Sequence, residues 1–340
     1  MLTPKRERRA VLDRAHGAAR SLFPGLAVSF IIAAAAAHLS EHYGGPVMLF
    51  AVLLGMALGF LGENKLCEPG IQAASKQVLR IGVALLGFRI AIGDVLALGL
   101  PAVAVVIVAV ALTILAAVAA ARLFGQSLTF GVLMGGSTAI CGASAALAIS
   151  AAIPRHRQKA SDVSFTIIAV TTLSTTAMIV YPLLAASLGF SGKEAGFFIG
   201  ATIHDVAQVI GAGYAISDEA GDTATIVKLL RVGLLLPVLL LVSVVYSRRL
   251  SGQSAPLPIF AFAFAGFVCI HSAGIVPEAI ETALNAASRW CLIAAIAAVG
   301  MTTSLQALAK LGWRPVVVVL ASSAALVMVV AGGLWMMRAY

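Results

Sequence analysis

Residues 62–86 read GENKLCEPGIQAASKQVLRIGVALL, and residues 213–237 read GYAISDEAGDTATIVKLLRVGLLLP. Aligned without a gap, Gly62, Glu68, Gly70, Ala73, Leu79, Arg80, Gly82 and Leu85 meet Gly213, Glu219, Gly221, Ala224, Leu230, Arg231, Gly233 and Leu236, eight identities in twenty-five positions. A glutamate and an arginine that return at fixed places in so apolar a chain are not the cheap matches that leucine and alanine give. In a membrane protein, an internal duplication points to a transporter.

Composition supplies the membrane. Hydrophobic residues make up 61% of the 340 and charged residues 11%, and apolar runs of roughly 17 to 25 residues recur, each long enough to cross a bilayer as a helix. The fold class is therefore all-α and polytopic. Helices are expected near 21–39, 47–63, 79–97, 101–121, 128–152, 162–188, 194–214, 225–247, 258–276, 289–306 and 314–337, about eleven spans. The net charge of +9 would suit nucleic acid, but the basic residues sit in short loops and a leader, so it reads as a topology signal and no nucleic-acid partner is expected.

The leader, residues 1–20, carries Lys5, Arg6, Arg8, Arg9, Arg14 and Arg20 against Glu7 and Asp13, which holds the N-terminus in the cytoplasm. The first span then anchors the chain; a cleaved signal peptide is the competing reading. With every span crossing, fifteen Lys and Arg fall inside and seven outside, with Arg89 within a span. Arg155, Arg157 and Lys159 disagree, since they would face outward. They would face inward if 128–152 and 194–214 were re-entrant hairpins, but the duplication equates 194–214 with the ordinary-looking span 47–63 and favours eleven crossings.

Five crossings separate the helix at Arg80 from the helix at Arg231, an odd number, so the second copy is inverted relative to the first. The expected organisation is an additional helix at 21–43, a first five-helix repeat at 44–192 and an inverted second at 193–340. Such repeats place a substrate site near the midplane. The fourth helix of each repeat combines glycine with hydroxyls: Gly135, Gly136, Ser137, Thr138, Cys141 and Ser144 in the first, Gly300, Thr302, Thr303 and Ser304 in the second. Amides freed at a helix break hold anions; close packing of small residues is the plainer alternative.

Two basic pairs follow. Lys76 and Arg80 are four apart and Lys228 and Arg231 three apart, so each pair shares a helix face where like charges repel. An anion between them would remove the conflict. Interfacial snorkelling explains the first pair adequately and the second less well. His204, Asp205 and Gln208 lie within 194–214, where a carboxylate needs a cavity or a partner; Asp205 is a candidate coupling acid, with His204 beside it, or else the counter-charge of Arg231. Thr171, Thr172, Ser174, Thr175 and Thr176 either line a pathway or bond their own helix. Cys67, Cys141, Cys269 and Cys291 show no paired spacing, so neither metal, disulfide nor cofactor is expected.

The segments Ser75–Gly82, Leu85–Arg89, Ser137–Ser144, Gly200–Val209 and Thr223–Arg231, in this order, resemble the YeiH-like family of sulfate exporters. The resemblance covers nearly the whole chain after the leader. It implies a bacterial inner-membrane protein related to bile-acid symporters and cation/proton antiporters, with inverted five-helix repeats and crossed, unwound fourth helices.

Residues and resemblance converge on a secondary transporter exporting sulfate or a related small anion by alternating access. The anion would meet the opened helix termini near Arg80 or Arg231, with His204, Asp205, Gln208, Lys76 and Lys228 coupling or gating. Its partners are the anion, a coupling H+ or Na+, the lipid bilayer and, left open, a second copy of the chain. No Gly-x-x-x-x-Gly-Lys-Ser/Thr loop is present, so ATP is not the drive. A sodium- or proton-coupled organic-anion symporter is the alternative. An intramembrane enzyme built on His204, Asp205 and His271 is disfavoured, because no HExxH or Asp-rich motif accompanies them.

Overall fold

The computed structural model describes residues 4–43, 45–154, 159–246, 259–303 and 313–339, and among the described residues every regular element is helical. The longer helices are α1 (Pro4–Tyr43), α6 (Gly99–Leu123), α9 (Lys159–Ser187), α12 (Asp218–Gly233), α14 (Ile259–Ser272), α15 (Glu278–Thr302) and α16 (Trp313–Ala339). Shorter ones are α2 (Val47–Ala57), α3 (Glu68–Ala73), α4 (Leu79–Leu85), α5 (Ile92–Leu96), α7 (Leu128–Ala139), α8 (Ala143–Ala152), α10 (Gly192–Thr202), α11 (Val206–Ile216) and α13 (Leu235–Val245). Among the described residues, six stretches are long and apolar enough to cross a bilayer: Arg20–Tyr43, Gly99–Leu123, Ser161–Ser187, Asp218–Val245, Glu278–Thr302 and Trp313–Arg338. The basic side chains at 5–14, Arg155, Arg157, the Lys159 side chain and Ser304 lie outside the described residues.

The chain forms two compact units, Met1–Leu86 with Val276–Thr303, and Gly87–Ile275 with Ser304–Tyr340. In the first, small residues let helix backbones touch. A Cβ on Gly25 or Gly70 would run into the other helix, α3 or α1, and one on Gly55 or Gly300 would do the same between α2 and α15. Ser288 of α15 donates to the Gly82 carbonyl at 2.7 Å. Between α3 and α4 the backbone opens into a π turn at Ala74–Val78.

In the second unit the segments 128–152 and 194–214, expected as single crossings, each fold back on themselves. Gly136 on α7 lies so close to Ile149 on α8 that an added Cβ would collide with the Ile149 side chain. Those residues would stand roughly 20 Å apart along an unbroken helix. On the other hairpin, Gly196 and Gly200 of α10 press on Ala220 and Ala224 of α12, while Gly213 of α11 presses on the same two residues. One segment can meet one stretch of α12 twice only by doubling back.

The turns have local causes. At the first tip, Gly142 adopts φ 62, ψ −124, a conformation that only glycine takes readily, and its amide reaches the Ser137 carbonyl at 2.9 Å. The second tip breaks at Ile203 and His204 and restarts with Asp205 as N-cap of α11. Ser127 caps α7 at 3.1 Å, and a Ser191–Glu194 capping box starts α10. Beneath the first hairpin, Phe130, Met134, Phe165, Ala169, Val170, Val318 and Val319 form a buried cluster with Ala120 and Ala121, which holds α7 against α6, α9 and α16.

Candidate functional site

The two tips meet on one face of α12, around a lysine and an arginine that are buried to 0% and 1% exposure. Lys228 Nζ donates to the carbonyls of Ile140 at 2.7 Å, Ile203 at 3.0 Å and His204, which uses all three ammonium hydrogens. Arg231 donates from Nε to Ala139 O at 2.9 Å, from Nη1 to Gly200 O and Ile203 O, both at 2.9 Å, and from Nη2 to Thr138 O at 3.0 Å. All of these acceptors lie in the last turns of α7 and α10 or just beyond, where helices leave carbonyls unsatisfied and carry partial negative charge. Two fixed cations thus close two helix C-termini that the breaks would otherwise strand in an apolar interior.

Their repulsion at i, i+3 spacing is answered by seven carbonyl contacts. The same breaks turn two helix N-termini, those of α8 and α11, toward the junction. About half a positive charge sits at each N-terminus and half a negative charge at each C-terminus, so the four ends cancel. Lys228 and Arg231 add two positive charges and an ionised Asp205 removes one, leaving the tips with about one positive charge.

Side chains from α9 and α16 fasten the tips. The Asp205 amide donates to Ser174 Oγ at 3.0 Å, and Asp205 Oδ1 accepts from Val206 N–H at 2.9 Å. Gln208 Nε2 donates to Thr175 Oγ1 at 3.2 Å. His204 Nε2 lies 3.0 Å from Ser323 Oγ, and Thr138 Oγ1 lies 3.4 Å from Ser322 Oγ. The Asp205 carboxylate also stands against Gly142, where a Cβ would sit 3.6 Å from its Oδ2. The acid of one tip therefore faces the N-terminus of the helix that leaves the other.

Of the residues singled out in the sequence, Thr138, Cys141, His204, Asp205, Gln208, Lys228 and Arg231 come together here. Gly135 is a packing glycine against Ile114 and Ala117, and Gly136 is one against Ile149. Ser137 bonds its own helix at Leu133 O, 2.6 Å away, and Ser144 is exposed on the first turn of α8. The remaining candidates belong to the other unit. There Lys76 is exposed and bonds Gln72 at 2.8 Å, Arg80 is exposed, and Thr302 and Thr303 bond Val299 O at 3.0 and 2.8 Å, at the end of an α15 that is unbroken to Thr302. Ser322 and Ser323 were not singled out, although two adjacent hydroxyls in an otherwise apolar span are a readable signal.

A second polar cluster stands at the open end of the α10–α11 hairpin. Arg89 pairs with Asp218 at 2.9 Å and Asp222 at 3.1 Å, and Tyr214 Oη donates to Asp222 at 2.5 Å. Arg338 pairs with Glu194 at 2.5 Å. Among the described residues no group of three or more His, Cys, Asp or Glu is placed to hold a metal ion.

Comparison with known proteins places the sequence in a family. A model of the family described as conserved hypothetical protein 698 matches residues 24–319. A UPF0324 membrane protein of Chlorobaculum tepidum is 49% identical, over 92% of this chain and 90% of its own length. The UPF0324 membrane protein TauZ of Paracoccus denitrificans is 48% identical, over 94% and 96%. The UPF0324 inner membrane protein YeiH of Escherichia coli is 31% identical, over 91% and 92%. No solved structure matches the chain.

Proposed function

The chain belongs to the conserved hypothetical protein 698 family, and we propose that it is a secondary transporter that exports sulfate or a related small inorganic or organosulfur anion by alternating access. The observation that carries this reading is the meeting of two re-entrant tips whose helix C-termini are already neutralised by Lys228 and Arg231. The N-termini of α8 and α11 and about one positive charge are left for a ligand. The anion in this reading meets amides following Gly142 and hydroxyls near Thr138 and Ser144. Lys228 acts through charge, since its three hydrogens are committed to carbonyls, and so does Arg231, four of whose five hydrogens are committed in the same way.

Topology supports alternating access. If both hairpins re-enter, nine segments cross in place of eleven. Arg155, Arg157 and Lys159 move inside and Lys193 outside, so seventeen Lys and Arg face the cytoplasm and five do not, with Arg89 in a span. Three crossings then separate the helix at Arg80 from that at Arg231, still an odd number, and the repeats stay inverted. The first hairpin enters from the cytoplasm and the second from outside, so access to their junction is controlled from both sides. A bacterial inner membrane, negative inside, favours anion exit by about 2.3 kcal/mol per charge per 100 mV.

A coupled organic-anion symporter is the second reading, favoured by the acid at the second tip. Purified protein in liposomes distinguishes the two when sulfate, sulfite and sulfonate fluxes are followed under imposed potential, proton and sodium gradients. Export requires outward oxyanion flux that rises with an inside-negative potential. No flux above that of empty liposomes under any gradient overturns the transporter reading.

A further inference from the structure

Asp205-Val206-Ala207-Gln208 has the form of a capping box, an acid at the N-cap followed at N3 by a glutamine able to accept from the N-cap amide. The box is not closed. The Asp205 amide donates instead to Ser174 Oγ on α9, and Gln208 turns its nitrogen to Thr175 Oγ1. Thr175 also donates to Thr171 O at 3.1 Å, an arrangement in which its oxygen accepts from the Gln208 amide. Gln208 Oε1 is left without a donor at 1% exposure. An acceptor stranded in this way costs about 1–3 kcal/mol.

Three residues earlier, the Asp205 carboxylate carries a second set of lone pairs beyond the one that meets Val206 N–H. N3 is the position from which a side chain reaches back to the N-cap. One hydrogen shared between the carboxyl and the amide oxygen would give Gln208 Oε1 the donor it lacks. We propose that Asp205 and Gln208 together form the binding site of the coupling proton: Asp205 carries it, and Gln208 Oε1 accepts the hydrogen bond from the protonated carboxyl. The word coupling rests on the transport reading; the proton site does not.

The surroundings favour a proton over a metal cation. Lys228 and Arg231 face this tip from α12, Cys141 lies in the other tip and His204 is adjacent, while α9 and α16 contribute the hydroxyls of Ser174, Thr175 and Ser323. A bare cation needs several oxygens at once, and here Ser174 and Thr175 already accept from protein donors. A proton needs only two acceptors, a carboxyl oxygen of Asp205 and the orphaned Gln208 Oε1. It raises the charge of the tips from about one to about two, which matches a dianion and ties anion loading to proton loading.

Infrared spectra of the purified full-length chain in lipid, taken across a pH titration, test this without flux. A protonated-carboxyl band should grow as pH falls and be absent in Asp205→Asn. In Gln208→Met the acceptor is gone, so the band should titrate about one pH unit lower, a tenfold loss of proton affinity, and move to higher frequency. Thr175→Val, which keeps Gln208 but frees it, should shift the midpoint in the same direction by less. An unchanged midpoint in both variants overturns the inference, as does a band that sodium chloride removes at constant pH and choline chloride does not. If the band behaves as expected and liposomes carry no oxyanion flux, the transport reading fails and the proton site stands.

Discussion

The two copies of the repeated segment share a glutamate, an arginine and three glycines, yet one serves as scaffold and the other holds the candidate site. In the second copy Arg231 is buried and bonded to four carbonyls; in the first, its counterpart Arg80 is exposed. The cause lies between the shared residues. The first copy opens into a π turn at Ala74–Val78 just before Arg80, whereas α12 runs as unbroken α-helix from Asp218 to Gly233. A π turn accommodates one residue more than an α turn, and each residue is worth about 100° of rotation, so everything beyond it faces a new direction. Identity at aligned positions therefore does not imply a shared face.

The hardest way to break this comparison is to remove the charges. Arg231→Met and Lys228→Met each leave helix-terminal carbonyls buried without donors, and stability should fall by about 3–5 kcal/mol, read as a large drop in the thermal unfolding midpoint of the detergent-purified protein. Arg80→Met and Lys76→Met should stay within about 0.5 kcal/mol. Equal losses in all four variants would mean that the copies do the same work.

Glycines provide the next test. Gly82 packs so closely on α15 that a Cβ would sit 2.9 Å from Leu292 Cδ2 and 3.0 Å from Cys291 Cβ, so Gly82→Ala should cost about 1–3 kcal/mol through overpacking. Gly142→Ala should cost a similar 1–3 kcal/mol for a different reason, because φ 62 with ψ −124 strains any residue with a Cβ. In liposomes the second variant should also lower oxyanion flux, since it disturbs the tip. A Gly142→Ala protein as stable and active as its parent would show that the tip conformation is not required.

Much of the second unit was legible. The polar residues that stood out against an apolar background, Lys228, Arg231, His204, Asp205 and Gln208, do gather, because a charged or amide side chain in a membrane helix must find partners and the supply is small. The hairpins were harder to read. Gly135-Gly136 and the run through Gly200 signal close backbone approach, but hydropathy cannot separate one crossing of 25 residues from two half-crossings of 11. The misplaced positive charge at Arg155, Arg157 and Lys159 was the better clue. Ser174 and Ser323 were illegible as tip contacts, because hydroxyls on a membrane helix ordinarily bond their own backbone, and only the fold brings them to the tips. The donors of Arg231 likewise go to carbonyls, which carry no side-chain signature at all.

A smaller test concerns the contact that fastens the second tip. Ser174→Ala removes the acceptor of the Asp205 amide, and the loss of that bond should cost about 1 kcal/mol, a modest fall in the unfolding midpoint. The broken capping box gives a way to check its origin. Gln208 stands at N3 and can take over the Asp205 amide, so Ser174→Ala combined with Gln208→Met should cost more than the two substitutions added separately, a coupling that a double-mutant cycle measures. Strict additivity would mean that the box never closes.

The smallest expected effect has the opposite sign. Gly233 is the counterpart of Gly82, but it is exposed at the end of α12, and a Cβ there would meet nothing within 4 Å. Its helix is interrupted one residue later at Leu234, and Pro237, four residues on, has no amide hydrogen to offer the Gly233 carbonyl. Alanine removes backbone freedom from the unfolded chain without adding a clash, so Gly233→Ala should stabilise the protein by about 0.5–1 kcal/mol. The same substitution at aligned positions then destabilises one copy and stabilises the other. A loss of stability at Gly233 would instead point to strain in the backbone between α12 and α13, where a residue with a Cβ cannot follow the bend that Pro237 imposes.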